Sequence, residues 1–293
     1  MRVAFLIQCH KSPEQVNTLL NALNHKDFDF FIHVDKKSDI SDRVDTGENI
    51  HLLPDEFRVD VCWGQFSQVE AAVNLLTYAK AYDDFDYYCQ ISGQDFPICS
   101  PEKIHDFFSA QNGSNFIHLS ESRHWGAEKP TSFDKRAEVY YPEFLMTRGT
   151  LPKLLRAAYK VATGGFSNTF SVFKRKYTKD KRMHFGSCWW CLHGEFVNYL
   201  LKLLQENPHE VAFYKNVICS DEVFFQTFFM NSPYRDTRKE DLHYIDWSHG
   251  GSSPKTLEAD DFTKIINSGK LFARKLESGS DLIELLSKHI SET

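Results

Sequence analysis

Apolar positions in the first third of the chain switch between continuous runs and helical spacing. Val3 to Gln8 is a run of the kind that a strand buried on both faces requires. Ser12-Pro13-Glu14-Gln15 then predicts a helix start, with serine as N-cap, proline at the first helical position and Gln15 where a capping box needs it. Val16, Leu19, Leu20 and Leu23 continue that helix, Phe28 to Val34 reads as a second strand ending at Asp35, and Ile50 to Leu53 reads as a third. Ser67 to Tyr82 predicts a second amphipathic helix through Val69, Ala72, Val73, Leu76 and Ala79, and Tyr87 to Ser92 the next strand. This succession predicts the α/β class, with a nucleotide-binding half built on a largely parallel sheet.

The remaining pattern is a helix over Pro101 to Ala110, a strand over Asn115 to Leu119, and weak periodicity from Glu121 to Met183. Order returns in a strand-like segment from Gly186 to Leu192, a helix near Glu195 to Gln205, a helix starting at Ser220, and an amphipathic helix from Ser280 onward. No internal repeat or low-complexity linker divides the chain, so residues 1–293 read as one unit with two halves, 1–120 and 121–293.

Several strand ends carry polar chemistry. The run from Tyr87 to Ile98 opens into Ser92, Gln94 and Asp95 and stops at Pro97, at the carboxyl end of a strand where open α/β sheets bind ligands. A strand end closed by an Asx-type turn accounts for Asp95 equally well. His33-Val34-Asp35 places another carboxylate at a strand end, suited to base or ribose hydroxyls. The first strand is followed by Gln8-Cys9-His10-Lys11-Ser12, so neither G-x-G-x-x-G nor a P-loop is present. Ser220-Asp221-Glu222 opens a very hydrophobic helix, and its two carboxylates read either as favourable charges on the helix dipole or, for Glu222, as a general base. Arg274 and Lys275 follow the apolar Leu271-Phe272-Ala273. Their charge suits a departing diphosphate, which fixed cations or a metal can stabilise. With no Asp-x-Asp on a strand end, the expectation is cations and no metal.

Composition narrows the function classes. The net charge of -6 and pI near 6.1 argue against a nucleic-acid partner. Seven cysteines, mostly in apolar segments, suit reduced buried thiols, and Cys188 and Cys191 enclose Trp-Trp with no second pair to complete a zinc site. No run approaches 18 apolar residues and the amino terminus runs directly into a strand. The expectation is therefore a protein without signal peptide or transmembrane helix, in the cytoplasm. Lys174 to Arg182 holds six basic residues against Asp180, a solvated loop or a contact for phosphate or an anionic membrane face.

Taken together, the segments resemble the core-2/I-branching glycosyltransferase family, which also contains the peptide O-xylosyltransferases. The resemblance rests on the strand before His10-Lys11, His33-Val34-Asp35-Lys36-Lys37, Trp63-Gly64-Gln65-Phe66-Ser67-Gln68-Val69, Ile91 to Ile98, Gly186-Ser187-Cys188-Trp189-Trp190, Ser220-Asp221-Glu222 and Leu271 to Lys275, in register over most of the chain. It implies a GT-A type fold, a Rossmann-like nucleotide-sugar-binding half with a mixed sheet, and an acceptor-binding, catalytic second half. The implied reaction is inverting, metal-independent transfer from a UDP-sugar, with no cofactor beyond that co-substrate. N-acetylglucosamine moved in β-1,6 linkage to a glycan hydroxyl leads the expectations; the alternatives are a xylosyltransferase and a non-catalytic glycan- or nucleotide-binding protein. By the same resemblance Glu222 is the base, Asp35 a uridine contact and Lys275 a diphosphate contact. His10, Gly186 and Ser187 line the donor side, and His243 stands where arginine is expected in the diphosphate clamp, with Arg274 as its substitute. Trp63, Asp95 and Trp189 are the sugar- or acceptor-side candidates. Relatives in secretory organelles carry an anchor that this chain lacks, which points to a cytoplasmic enzyme, with a lipid-linked glycan at the inner membrane face as a possible acceptor.

Overall fold

The computed structural model describes residues 1–111, 113–120, 140, 149–162, 182–250 and 253–292. A seven-stranded sheet runs through the molecule in the order β3-β2-β1-β4-β7-β6-β8. Its strands are β1 (Val3–Cys9), β2 (Phe28–Val34), β3 (Ile50–Leu52), β4 (Tyr87–Ser92), β6 (Asn115–Ile117), β7 (Trp190–His193) and β8 (Arg238–Lys239). A second sheet holds β5 (Asp95–Pro97), β9 (His243–Ile245) and β10 (Phe272–Arg274), with β10 in the middle. The helices are α1 (Pro13–Ala22), α2 (Ser67–Tyr82), α3 (Pro101–Ser109), α4 (Thr150–Ala162), α5 (Gly194–Glu206), α6 (Pro208–Tyr214), α7 (Phe224–Met230), α8 (Phe262–Ile266) and α9 (Asp281–Glu292).

Strands β1 to β4 pair in parallel, as their unbroken apolar runs require, because helices cover both faces. Alternate residues of β1 show the division. Ala4 and Leu6 pack with α2, α5 and α7, while Val3, Phe5 and Ile7 pack with α1, α3 and Phe272. The antiparallel pairs β4·β7 and β7·β6 make the sheet mixed. Chain direction across the sheet reverses at β1, whose neighbours are β2 and β4, so the crevice beyond the carboxyl ends of β1 and β4 is a topological switch point. The small sheet, with α8 and α9, forms its own apolar cluster around Phe96, Ala273 and Leu286. Its central strand carries Arg274 towards that crevice, in register with Asp95 on β5.

Two helix starts differ from expectation. Ser12 sits at φ 54 and its side chain makes no cap hydrogen bond; Gln15 is buried and its amide donates to the carbonyl of Leu276 at 3.1 Å. The capping box is absent because Gln15 ties α1 to the loop after β10. Ser220 to Glu222 forms a 3-10 turn, and the α-helix begins only at Phe224. The basic run Lys174 to Arg182, except Arg182 itself, and most of the weakly periodic 121–183 lie outside the described residues.

Candidate functional site

The carboxyl ends of β1 and β2 build the first part of the site. The Asp35 N–H donates to the Cys9 carbonyl at 2.9 Å, and its buried carboxylate accepts the Lys37 N–H and pairs with Lys37 Nζ at 3.1 Å. Arg58 holds this loop from below through the carbonyls of Val34, Asp35 and Ser38. His10 lies beside it, with its carbonyl accepting from Ser38 Oγ at 2.8 Å. Desolvation, then Lys11, pushes the His10 imidazole below its ordinary value. Lys275 and Lys37 act in the same sense, and Asp35 opposes them. His10, Asp35, Lys37 and Lys275 therefore share one electrostatic neighbourhood, although they come from three strands.

The turn between β4 and β5 builds the second part. The Ser92 N–H donates to Asp95 Oδ2, and Arg274 pairs with Asp95 Oδ1 at 2.8 Å while also donating to Ser92 Oγ. Its guanidinium carbon lies 4.2 Å from the centroid of the Trp189 ring, a cation–π contact. Two of the expected site residues are enclosed by the protein. Asp95, expected on the sugar or acceptor side, is 0% exposed and bonds through one oxygen to the Ser92 N–H and through the other to Arg274. His243 is enclosed as well: its side chain is 0% exposed, 4.0 Å from Asp95, and its ring packs 5.7 Å from that of Trp189. Burial lowers its pKa, with Asp95 opposing, which disfavours the charged imidazole expected of a diphosphate clamp. Arg274 is the cation that lies beside both, paired with Asp95 at 2.8 Å.

The turn Ser220–Glu222 is the third part. Cys219 adopts φ 53, and its N–H donates to the Gly64 carbonyl at 2.9 Å, which joins the Trp63-Gly64 loop to this turn. Gln68 accepts the Gly64 N–H and donates to Asp221 Oδ2 at 3.3 Å. Trp63, in that loop, is 51% exposed. On the other side the Gly186 N–H donates to the Glu222 carbonyl at 2.9 Å, and buried Gln226 donates to the Ser187 carbonyl. Gly186 and Ser187 thus hold the backbone of the turn carrying Glu222. Burial pushes the Cys188 thiol well up, with Asp221, Glu222 and Asp95 adding to the shift and Arg274 opposing it. That thiol lies within the fields of Glu222 and Arg274 together, so the candidate base and the candidate cation border one place.

Sequence reasoning gave no site role to Gln68, Gln226 or Arg58 and weighed Cys188 only as half of a C-x-x-C pair. Gln226 had a readable signal, a lone amide in a phenylalanine-rich helix, since a buried amide needs a partner. Two cavities lie elsewhere: one of about 700 Å³ lined by Asn21, Ser100, Glu102 and Ser287, and one of about 310 Å³ lined by Ser120, Arg182, His184 and Arg238. Neither contains a residue nominated for the catalytic, donor or acceptor site, and the second includes Arg182, the end of the basic run. Among the described residues, no group of three or more His, Cys, Asp or Glu side chains is arranged to hold a metal ion. No described helix is long and apolar enough to cross a membrane.

Known proteins match over almost the whole chain. Beta-glucuronosyltransferase GlcAT14B of Arabidopsis thaliana is 24% identical over 315 residues, covering 99% of this chain and 66% of that protein. Human Xylosyltransferase 1 is 22% identical over 306 residues, covering 95% of this chain and 29% of that protein. The chain thus spans less than two thirds of the length of these relatives. Among solved structures, mouse Xyloside xylosyltransferase 1 in its apo form is similar at 9% identity and a TM-score of 0.39, over 93% of this chain and 97% of that chain. The sequence model of the core-2/I-branching enzyme family matches residues 3–267, which includes every strand of the large sheet and the Glu222 turn. This chain belongs to the core-2/I-branching enzyme family.

Proposed function

We propose that the protein is an inverting glycosyltransferase that moves a sugar from a UDP-sugar to a glycan hydroxyl without a metal ion. The observation that carries this reading is that the segment Gly186 to Trp189 meets the Glu222 backbone at one end, through the Gly186 N–H at 2.9 Å, and the Arg274 guanidinium at the other, 4.2 Å from the Trp189 ring centroid. Glu222 removes the acceptor proton as the hydroxyl oxygen attacks the anomeric carbon, and the carbon–oxygen bond to UDP breaks on the opposite face. Arg274 and Lys275 stabilise the charge that develops on the leaving diphosphate. Asp35 and His10 contact the uridine end of the donor in this reading, which their position at the carboxyl ends of β2 and β1 supports. Trp63, exposed in the loop bonded to the Glu222 turn, supplies an aromatic face for a sugar ring.

The family supports sugar transfer, and the relatives' names add xylosyl and glucuronosyl donors to the N-acetylglucosamine expected from the sequence. The test is release of UDP from UDP-N-acetylglucosamine, UDP-xylose and UDP-glucuronic acid with a panel of glycan and lipid-linked acceptors, with and without a chelator. Turnover of one donor that survives chelation is expected. Loss of turnover on chelation overturns the metal-free mechanism. Glycan binding with no turnover of any donor favours a non-catalytic binding protein.

A further inference from the structure

Three loops converge on one carboxylate. Lys11, just past β1, places Nζ 2.8 Å from Glu277 Oε2. Gln94, in the β4–β5 turn, donates its amide to Glu277 Oε1 at 2.9 Å, and Lys275, just past β10, lies 3.3 Å from the same oxygen. The backbone beneath is fixed on both sides: the Leu276 N–H donates to the Gln94 carbonyl at 2.9 Å, and its carbonyl accepts from buried Gln15. The carboxylate itself is not so confined. Its side chain is 40% exposed, and the following turn contains Gly279 at φ +73 with nothing within 4 Å of where a Cβ would stand.

Charge does not close here. Two ammonium groups and an amide N–H face a single carboxylate, which leaves one positive charge over. Lys11 first, and Lys275 after the opposing effect of desolvation, hold the Glu277 carboxyl below its ordinary range, so it is ionised at neutral pH. A diphosphate carries more charge and more acceptor oxygens than a carboxylate and satisfies this donor set better. We propose that Lys11, Gln94 and Lys275 form an oxyanion subsite whose resting occupant is the Glu277 carboxylate, displaced when a diphosphate enters. The identification of that diphosphate with the donor's rests on the UDP-sugar reading above. It adds Lys11 and Gln94 to the binding groups and makes Glu277 an internal competitor.

Titration calorimetry of the full chain with UDP, uridine and inorganic pyrophosphate separates these roles. Glu277→Gln removes the competing charge while keeping a polar side chain. It should bind UDP and pyrophosphate about two- to fivefold more tightly, the scale of an exposed ion pair, with uridine unchanged. Lys11→Gln should weaken UDP and pyrophosphate by about three- to tenfold and leave uridine unchanged. These side chains are well exposed, so unchanged melting temperatures are expected to show intact folding. Weaker or unchanged UDP and pyrophosphate binding in Glu277→Gln overturns the proposal, because the carboxylate then serves to hold the lysines in place. Unchanged binding in Lys11→Gln overturns it as well. If the unaltered protein binds neither UDP nor uridine while Glu277→Gln still tightens pyrophosphate, the subsite stands and the nucleotide-sugar reading fails.

Discussion

Gly186 is the point where stability and the candidate base meet, and replacing it with alanine has a calculable effect. A Cβ built there would lie 1.8 Å from the His118 carbonyl oxygen, 2.8 Å from its carbon and 3.1 Å from Gln226 Cγ. Ordinary contact needs about 3.5 Å, so roughly 1.5 Å must be opened against backbone. Two hydrogen bonds resist that opening: Ser120 N–H to the Phe185 carbonyl at 2.8 Å, and Gly186 N–H to the Glu222 carbonyl at 2.9 Å. Overpacking costs about 1–3 kcal/mol and a lost hydrogen bond about 1 kcal/mol, which together lower Tm by roughly 3–7 °C for a domain of this size. A turn displaced by about 1 Å moves the Glu222 carboxylate out of line and should reduce kcat by about 10²-fold. Gly194→Ala is the control: its Cβ would lie 2.4 Å from the Phe85 carbonyl, away from the Glu222 turn. It should lower Tm comparably and leave kcat per folded molecule unchanged. Thermal melting and steady-state UDP release measure both. Gly186→Ala with the melting temperature and kcat of the unaltered protein, or Gly194→Ala with an equal loss of kcat, would refute the reasoning.

Three further substitutions probe other parts of the account. His33 is buried and its Nε2 accepts the Val59 N–H at 2.9 Å; burial pushes its imidazole from 6.5 down to about 4. The unfolded chain therefore binds the extra proton between those values, so stability is full above about pH 6.5 and falls by up to about 3 kcal/mol towards pH 4. Unfolding in denaturant across that range should show a smaller pH dependence in His33→Gln, and an equal dependence would count against the assignment. Asp95→Asn removes the buried counter-ion of Arg274 and should cost about 3–5 kcal/mol at most, with a larger loss in kcat than in donor KM, as steady-state kinetics at fixed acceptor would record. A normal kcat in that variant would show that Arg274 does not depend on it. Trp63→Ala, at an exposed position, should change stability by no more than about 0.5 kcal/mol while raising acceptor KM several-fold; an unchanged acceptor KM would remove Trp63 from the acceptor side.

The parallel half of the sheet was legible because its strands are long, apolar and separated by helices with clear periodicity. The second sheet was not, because β5, β9 and β10 are three residues each, too short for any periodicity to appear. That gap explains why the burial of Asp95 and His243 was not foreseen. A strand-end carboxylate looks the same in sequence whether it faces a cleft or an arginine 179 residues away, and only the β5·β10 register decides. His243 carried a charge expectation from its place in a motif, yet its strand lies at the edge of a buried sheet under Trp189 and Phe272. Gly186 and Ser187, by contrast, were nominated from their motif and bond to the Glu222 turn and to Gln226, which packs it. The carbonyls involved are backbone groups whose partners no side-chain pattern announces.

Glu222→Gln tests the central claim most directly. The substitution keeps the size of the side chain and leaves the turn's backbone bonds from Glu222 N–H to Cys219 and from Gly186 to the Glu222 carbonyl in place, while removing the group that takes the proton. Transfer from the accepted UDP-sugar should fall by at least about 10³-fold, with UDP affinity and Tm nearly unchanged. Retained transfer, or a loss explained by a fall in Tm, would contradict the assignment of Glu222 as the base and leave it as a residue that caps the 3-10 turn.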